Sequence, residues 1–94
     1  MTDPTSDPTV RRLRDEISDV DRRIVEAVNA RVELVERLRR YKASQGMPFL
    51  DPERERQMLE DLVRTNQGPV SNEALREFFA KLLDLTKREV TRED

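Results

Sequence analysis

Between Pro8 and Gly46 the chain contains neither glycine nor proline, and apolar residues recur there at steps of four and three: Leu13, Ile17, Val20, Ile24, Ala27, then Leu34, Leu38 and Tyr41. Steps of that size bring side chains onto one side of an α-helix. The spacing therefore predicts one uninterrupted helix that starts after Pro8, with Thr9 as its candidate cap, and runs to about Ser44, where Gly46 and Pro48 stop it. A helix of about 35 residues spans roughly 50 Å, whereas a compact sphere made from a chain this short is only about 32 Å across. The helix must protrude, and the rest of the chain is too small to cover its stripe. A second copy packed alongside would cover it. The expected fold is all-α: three helices per chain, one very long, in an intertwined homodimer sharing a helical core.

The other two helices announce themselves by their starts. Asp51-Pro52 is a capping acid followed by proline at the first helical position, and Met58, Leu59, Leu62 and Val63 then fall on one side, up to a stop at Asn66, Gly68 and Pro69. Ser71 or Asn72 caps a third helix whose apolar face is Leu75, Phe78, Phe79, Leu82, Leu83, Leu85 and Val90. No strand pattern or repeat is present. The opening MTDPTSDPTV is polar and proline-bearing, which suits neither a signal peptide nor a membrane span. Residues 1–9 are expected to form a disordered tail, residues 10–94 one helical domain, and the protein is expected to be cytoplasmic.

Composition narrows the chemistry. Charged residues make up 40% of the chain, yet the net charge is only −2 with the signs interleaved, so the basic face that nucleic acid requires is missing. Leu, Ile, Val and Phe supply about a quarter of the residues, enough to fold. There is no cysteine and no histidine, which rules out disulfides, thiol nucleophiles and imidazole bases and leaves no common transition-metal ligand set. The remaining chemistry belongs to Arg, Lys, carboxylates and hydroxyls.

Among the cations of the first helix, most have an acid three or four positions away: Arg11 with Asp15, Arg12 with Glu16, Arg22 and Arg23 with Asp19 and Glu26, Arg37 with Glu33, Arg39 and Arg40 with Glu36. Arg14, Arg31 and Lys42 do not. Arg31 also falls inside the apolar stripe, between Ala27 and Leu34, and a cation buried there needs a negative charge from elsewhere. The pattern points to an anionic ligand. Arg14 and Arg31 stand about 25 Å apart along the axis, too far for one small ligand within a chain, but an antiparallel dimer would deliver Arg14 of one copy beside Arg31 of the other. Arg31 and Lys42 share a face at about 16 Å, within reach of a molecule between them. Arg54 and Glu55 begin the inward face of the second helix, and Thr86 lies on the stripe of the third. Cations, one or two carboxylates and a hydroxyl suit binding and electrostatic stabilisation better than group transfer.

The stretches LRDEISDVDRRIVEAVNAR, RRYK, DPERERQML and GPVSNEALREFFAKLLDLT, taken in order, resemble the all-helical chorismate mutases, including the kind fused to or partnered with DAHP synthase, which opens the shikimate pathway. The resemblance covers about residues 10 to 90. It implies conversion of chorismate to prephenate in aromatic amino acid biosynthesis, a Claisen-type rearrangement without a cofactor. It further implies that Arg31 and the partner chain's copy of Arg14 hold substrate carboxylates. Lys42 would donate to the ether oxygen, Glu55 with Asp51 would take the ring hydroxyl, and Arg54 and Thr86 would complete the carboxylate contacts. Where the family usually has Gln or Glu as a second donor to the ether oxygen, this chain has Val90. The expectation is a mutase that is weak alone, or one whose C-terminal segment a partner rearranges, with DAHP synthase as the natural partner. Two other readings stay open: a relative acting on isochorismate or an amino-substituted chorismate, which Asp51 and Glu55 disfavour, and a non-catalytic helical dimerisation or regulatory module, which Val90 favours.

Overall fold

The computed structural model describes residues 6–92, in which three helices follow one another: α1 (Pro8–Ser44), α2 (Pro52–Thr65) and α3 (Asn72–Val90). No strand occurs among the described residues. The chain divides into two compact units, Met1–Arg31 and Val32–Asp94, with the boundary inside α1.

The first unit is α1 up to Arg31. Its start corrects the sequence reading, because the cap is Asp7 rather than Thr9. The Asp7 carboxylate accepts the backbone N–H of Thr9 at 2.8 Å and of Val10 at 3.4 Å, and its carbonyl takes the Arg11 N–H at 3.0 Å. Pro8 is the first helical residue, where a missing N–H loses no bond. Asp7-Pro8 is thus the same start signal as Asp51-Pro52, and it places Pro8 and Thr9 of the expected tail in the helix. Residues 1–5 of that tail lie outside the described residues. No residue of α1 is buried, and Leu13, Ile17, Val20 and Ile24 are each about half exposed. The apolar stripe exists as read, but none of the described residues of this unit covers it.

The second unit begins with the C-terminal turns of α1, which close in a Schellman arrangement. The Met47 N–H reaches the Lys42 carbonyl at 2.8 Å and the Gly46 N–H reaches the Ala43 carbonyl at 3.2 Å. Gly46 sits at φ 68°, in the left-handed region that this reversal needs and that a side chain would strain. α2 is capped as expected: the Asp51 carboxylate accepts the Arg54 N–H at 3.1 Å, with Pro52 first in the helix. α3 is capped by Ser71, not Asn72, through Oγ and the Ala74 N–H at 3.1 Å. Asn72 instead accepts from the Asn66 side chain at 2.9 Å, and Asn66 also bonds Val70 and Gly68, tying the α2–α3 connection together.

α2 and α3 pack against each other, and among the described residues the buried set is Val63, Thr86 and Val90. Two cross-helix ion pairs, Glu55 with Lys87 at 3.0 Å and Glu60 with Arg76 at 3.5 Å, run in opposite order along the two helices and so mark an antiparallel hairpin. Phe78 and Phe79 meet edge to face with centroids 5.4 Å apart. Successive helical residues differ by about 100° in direction, so both rings cannot turn inward. Phe79 is half-buried, while Phe78, expected on the inner face, stays about half exposed.

Candidate active site

Each unit carries part of the candidate site. In the first, Arg14 is exposed and Arg31 is half-buried. Arg31 is also engaged in an interaction within the chain, which corrects the expectation of a buried cation lacking any protein partner. The long reach of arginine lets its stem cover apolar surface while the guanidinium finds polar company, so a place in an apolar stripe does not by itself strand the charge.

In the second unit, Lys42 lies in the last turn of α1, half-buried, and its ammonium donates to the Phe49 carbonyl at 3.4 Å. The contact is long for an N–H···O bond, so the ammonium is guided more than held. Asp51 is exposed, and one oxygen of its carboxylate is committed to the α2 cap. Arg54, whose backbone completes that cap, is exposed as well. Glu55 is half-buried and paired through Oε2 with the Nζ of Lys87, a residue to which the sequence reading gave no role. Its signal was present: Lys87 falls four residues after Leu83 and three before Val90, inside the α3 stripe, as Arg31 falls inside that of α1. The partner was invisible because the two residues are 32 apart and on different helices.

Thr86 is the most deeply buried polar residue described, at 2% exposure. Its hydroxyl donates to the Leu82 carbonyl at 2.8 Å, a bond that satisfies a hydroxyl on an inner helix face. Val90 is buried and lines an open cleft of about 580 Å³ together with Val32, Glu36, Arg39, Glu89 and Arg92. On the α1 side of that cleft Glu36 accepts two bonds from Arg39, at 2.8 and 3.0 Å, and one from Arg40 at 3.0 Å. The Arg39 hydrogen bonds, with the single one from Arg40, hold the Glu36 carboxyl below the ordinary glutamate value. Among the described residues no group of acids stands together as a metal site.

An all-α chain built on one long cation-bearing helix followed by a helical hairpin is the architecture that the comparisons with known proteins return. The chain belongs to the chorismate mutase type II family, whose model matches residues 13–90. It is similar to two solved structures of the chorismate mutase from Thermus thermophilus. Form I superposes with a TM-score of 0.81 at 32% identity over 83% of this chain and 98% of that one, and form II with 0.84 at 31% over 92% and 98%. Among curated proteins it is 33% identical over 87 residues to the bifunctional chorismate mutase/prephenate dehydratase of Aquifex aeolicus (strain VF5). That match takes in 84% of this chain and only 24% of the relative, so the chain spans about a quarter of the bifunctional protein's length.

Proposed function

We propose that this chain is a chorismate mutase, converting chorismate to prephenate. The observation that carries the reading is the family match over residues 13–90, a stretch that contains every candidate position from Arg14 to Val90. In the rearrangement one carbon–oxygen bond breaks as a carbon–carbon bond forms within the same molecule, and no proton or electron is exchanged with the protein. What a protein contributes is a held conformation and a positive charge where the ether oxygen becomes negative. Arginine, lysine and carboxylates suffice for that.

In this reading Arg31, with Arg14 from a second copy, holds the substrate carboxylates, and Arg54 and Thr86 complete their contacts. Lys42 donates to the ether oxygen, exchanging its long bond to the Phe49 carbonyl for a shorter one to a developing anion. Glu55, with Asp51, accepts from the ring hydroxyl. Val90 occupies the position where a second donor to the ether oxygen is usual, and a missing donor of that kind costs on the order of 100- to 1,000-fold in rate. The isolated protein is therefore a slow mutase, or one whose C-terminal segment a partner reorganises; DAHP synthase is the partner proposed. The open stripe of α1 supports a homodimer. No helix among the described residues is long and apolar enough to cross a membrane, and we place the enzyme in the cytoplasm.

The test follows chorismate loss and prephenate appearance against the uncatalysed background, with and without DAHP synthase. Turnover that falls on the order of 100- to 1,000-fold in Arg31→Ala, the scale of one lost charge-stabilising donor, supports the proposal. Val90→Gln should raise the rate of the isolated protein. Silence from a folded parent under both conditions overturns the reading, and tight chorismate binding without turnover would establish the non-catalytic module that Val90 favours.

A further inference from the structure

The ion pair between Glu55 and Lys87 differs from the other pairs of this chain. Most of those join residues three or four apart on one helix, some wide open, as Asp19 is with Arg22 and Asp61 with Arg64, and one, Glu36 with Arg39, as sheltered as Glu55 with Lys87. Lys87 reaches from α3 to α2 at 3.0 Å, and the two side chains are only 35% and 30% exposed. The cross-helix pair of Glu60 and Arg76 is longer, at 3.5 Å, and more open. So this contact is shorter and drier than the second link of the same hairpin.

The two ends of the pair also differ in how firmly they are held. Lys87 follows buried Thr86, whose hydroxyl is bonded to the helix backbone, and precedes buried Val90 by one turn. Its stem therefore leaves from one of the best-anchored stretches of the chain. Glu55 belongs to the first turn of α2, which carries Glu53 as well and follows the capping Asp51. A carboxylate in that position, without a partner, would sample several rotamers toward water. The bond from Lys87 uses Oε2, and the carboxylate retains Oε1 with its own lone pairs.

We infer that Lys87 is a positioning residue for Glu55: it fixes the carboxylate rotamer through Oε2 so that the remaining oxygen is aimed at the substrate's ring hydroxyl. It also cancels the Glu55 charge before a dianion approaches. The inference deepens the proposed function and rests on it, since it gives Glu55 the substrate hydroxyl as its ligand. Lys87 itself touches Glu55, not the substrate. An unbalanced Glu55 would repel the substrate carboxylates that the arginines attract, so the pair serves substrate recognition at two levels, orientation and net charge.

The experiment compares the full-length parent protein with Lys87→Met, Lys87→Arg, Glu55→Gln and the double variant Lys87→Met/Glu55→Gln in steady-state kinetics on chorismate, with a thermal melt of each. Lys87→Met is expected to lower kcat/KM by about tenfold, the lower end for a hydrogen bond to a charged group because the pair is partly solvated. Most of the loss should enter through KM, since hydroxyl recognition already acts in the ground state. Lys87→Arg should recover most of the loss, and Lys87→Met should have no further effect once Glu55 is Gln. Losses that multiply in the double variant overturn the inference, because Lys87 would then act independently of Glu55. A lowered melting temperature with unchanged kcat and KM also overturns it, marking the pair as structural. A folded parent without turnover overturns the proposed function and this inference together, whereas an active parent with either of the preceding results sinks only the inference.

Discussion

The two units of this chain apply the same amphipathic pattern to opposite ends. In Val32–Asp94 the stripes of α2 and α3 find one another, leaving Val63, Thr86 and Val90 buried and two ion pairs bridging the helices. In Met1–Arg31 the stripe of α1 is just as regular, yet Leu13, Ile17, Val20 and Ile24 stay about half exposed. Periodicity therefore says which face of a helix is apolar, not what covers it. Supply of a partner element within the unit makes the difference, and the first unit has none among its described residues.

That contrast breaks most easily at Ile17. Placing a carboxylate in the middle of the open stripe, as in Ile17→Glu, should cost several kcal/mol in any assembly that buries the position. Sedimentation should show the proposed dimer replaced by monomer, with reduced helicity by circular dichroism. An unchanged sedimentation profile would mean that the stripe stays wet in solution. In the second unit the corresponding probe is Val63→Ala, which removes two buried methyl-sized groups and is expected to cost about 2 kcal/mol. Denaturant unfolding should report that loss while the oligomeric state remains unchanged, which separates a core inside the chain from one shared between copies.

The order of the three helices, most of their bounds and the cap of α2 were legible from the sequence, and that of α3 to within one residue, because each rests on local chemistry. Asp51-Pro52 fixes the start of α2 through one side-chain bond and one absent N–H, and neither needs tertiary contacts. The start of α1 was misread because Thr9 is a good cap by type, while Asp7-Pro8 is the better one by pairing with proline. The cations and acids of the site were legible as residue types out of step with their surroundings. Their partners were not. Glu55 found Lys87 across 32 residues, and no rule of helix spacing reaches that far.

A smaller effect sharpens the comparison from within the second unit. Ser71→Ala should cost about 1 kcal/mol, the usual worth of a side-chain cap, read as a lowered melting temperature with the kinetics unchanged. The smallest effect expected is that of Glu36, whose carboxyl is held below its ordinary value of 4.5 by the Arg39 hydrogen bonds first and by Arg40 after them. A depressed native pKa means that the unfolded chain takes up the proton more readily, so this contribution is complete above the ordinary value and disappears as pH falls through the native one. Glu36→Gln should therefore melt below the parent at neutral pH, and the gap should close on acidification past about pH 4. A gap that persists in acid would assign the difference to packing rather than to charge.

The connection between α1 and α2 joins two tasks in one residue. Lys42 closes the end of α1 with its carbonyl, through the Met47 N–H, and seven residues on its ammonium meets the Phe49 carbonyl. The reversal at Gly46, the length of the segment and the location of the one ammonium proposed for the ether oxygen are consequently a single geometric quantity. A residue inserted between Gly46 and Phe49 would shift the Phe49 carbonyl away from the ammonium as well as lengthen the loop. The carbonyl that guides the ammonium is thereby supplied by the loop, so the length of the connection bears on where that charge rests.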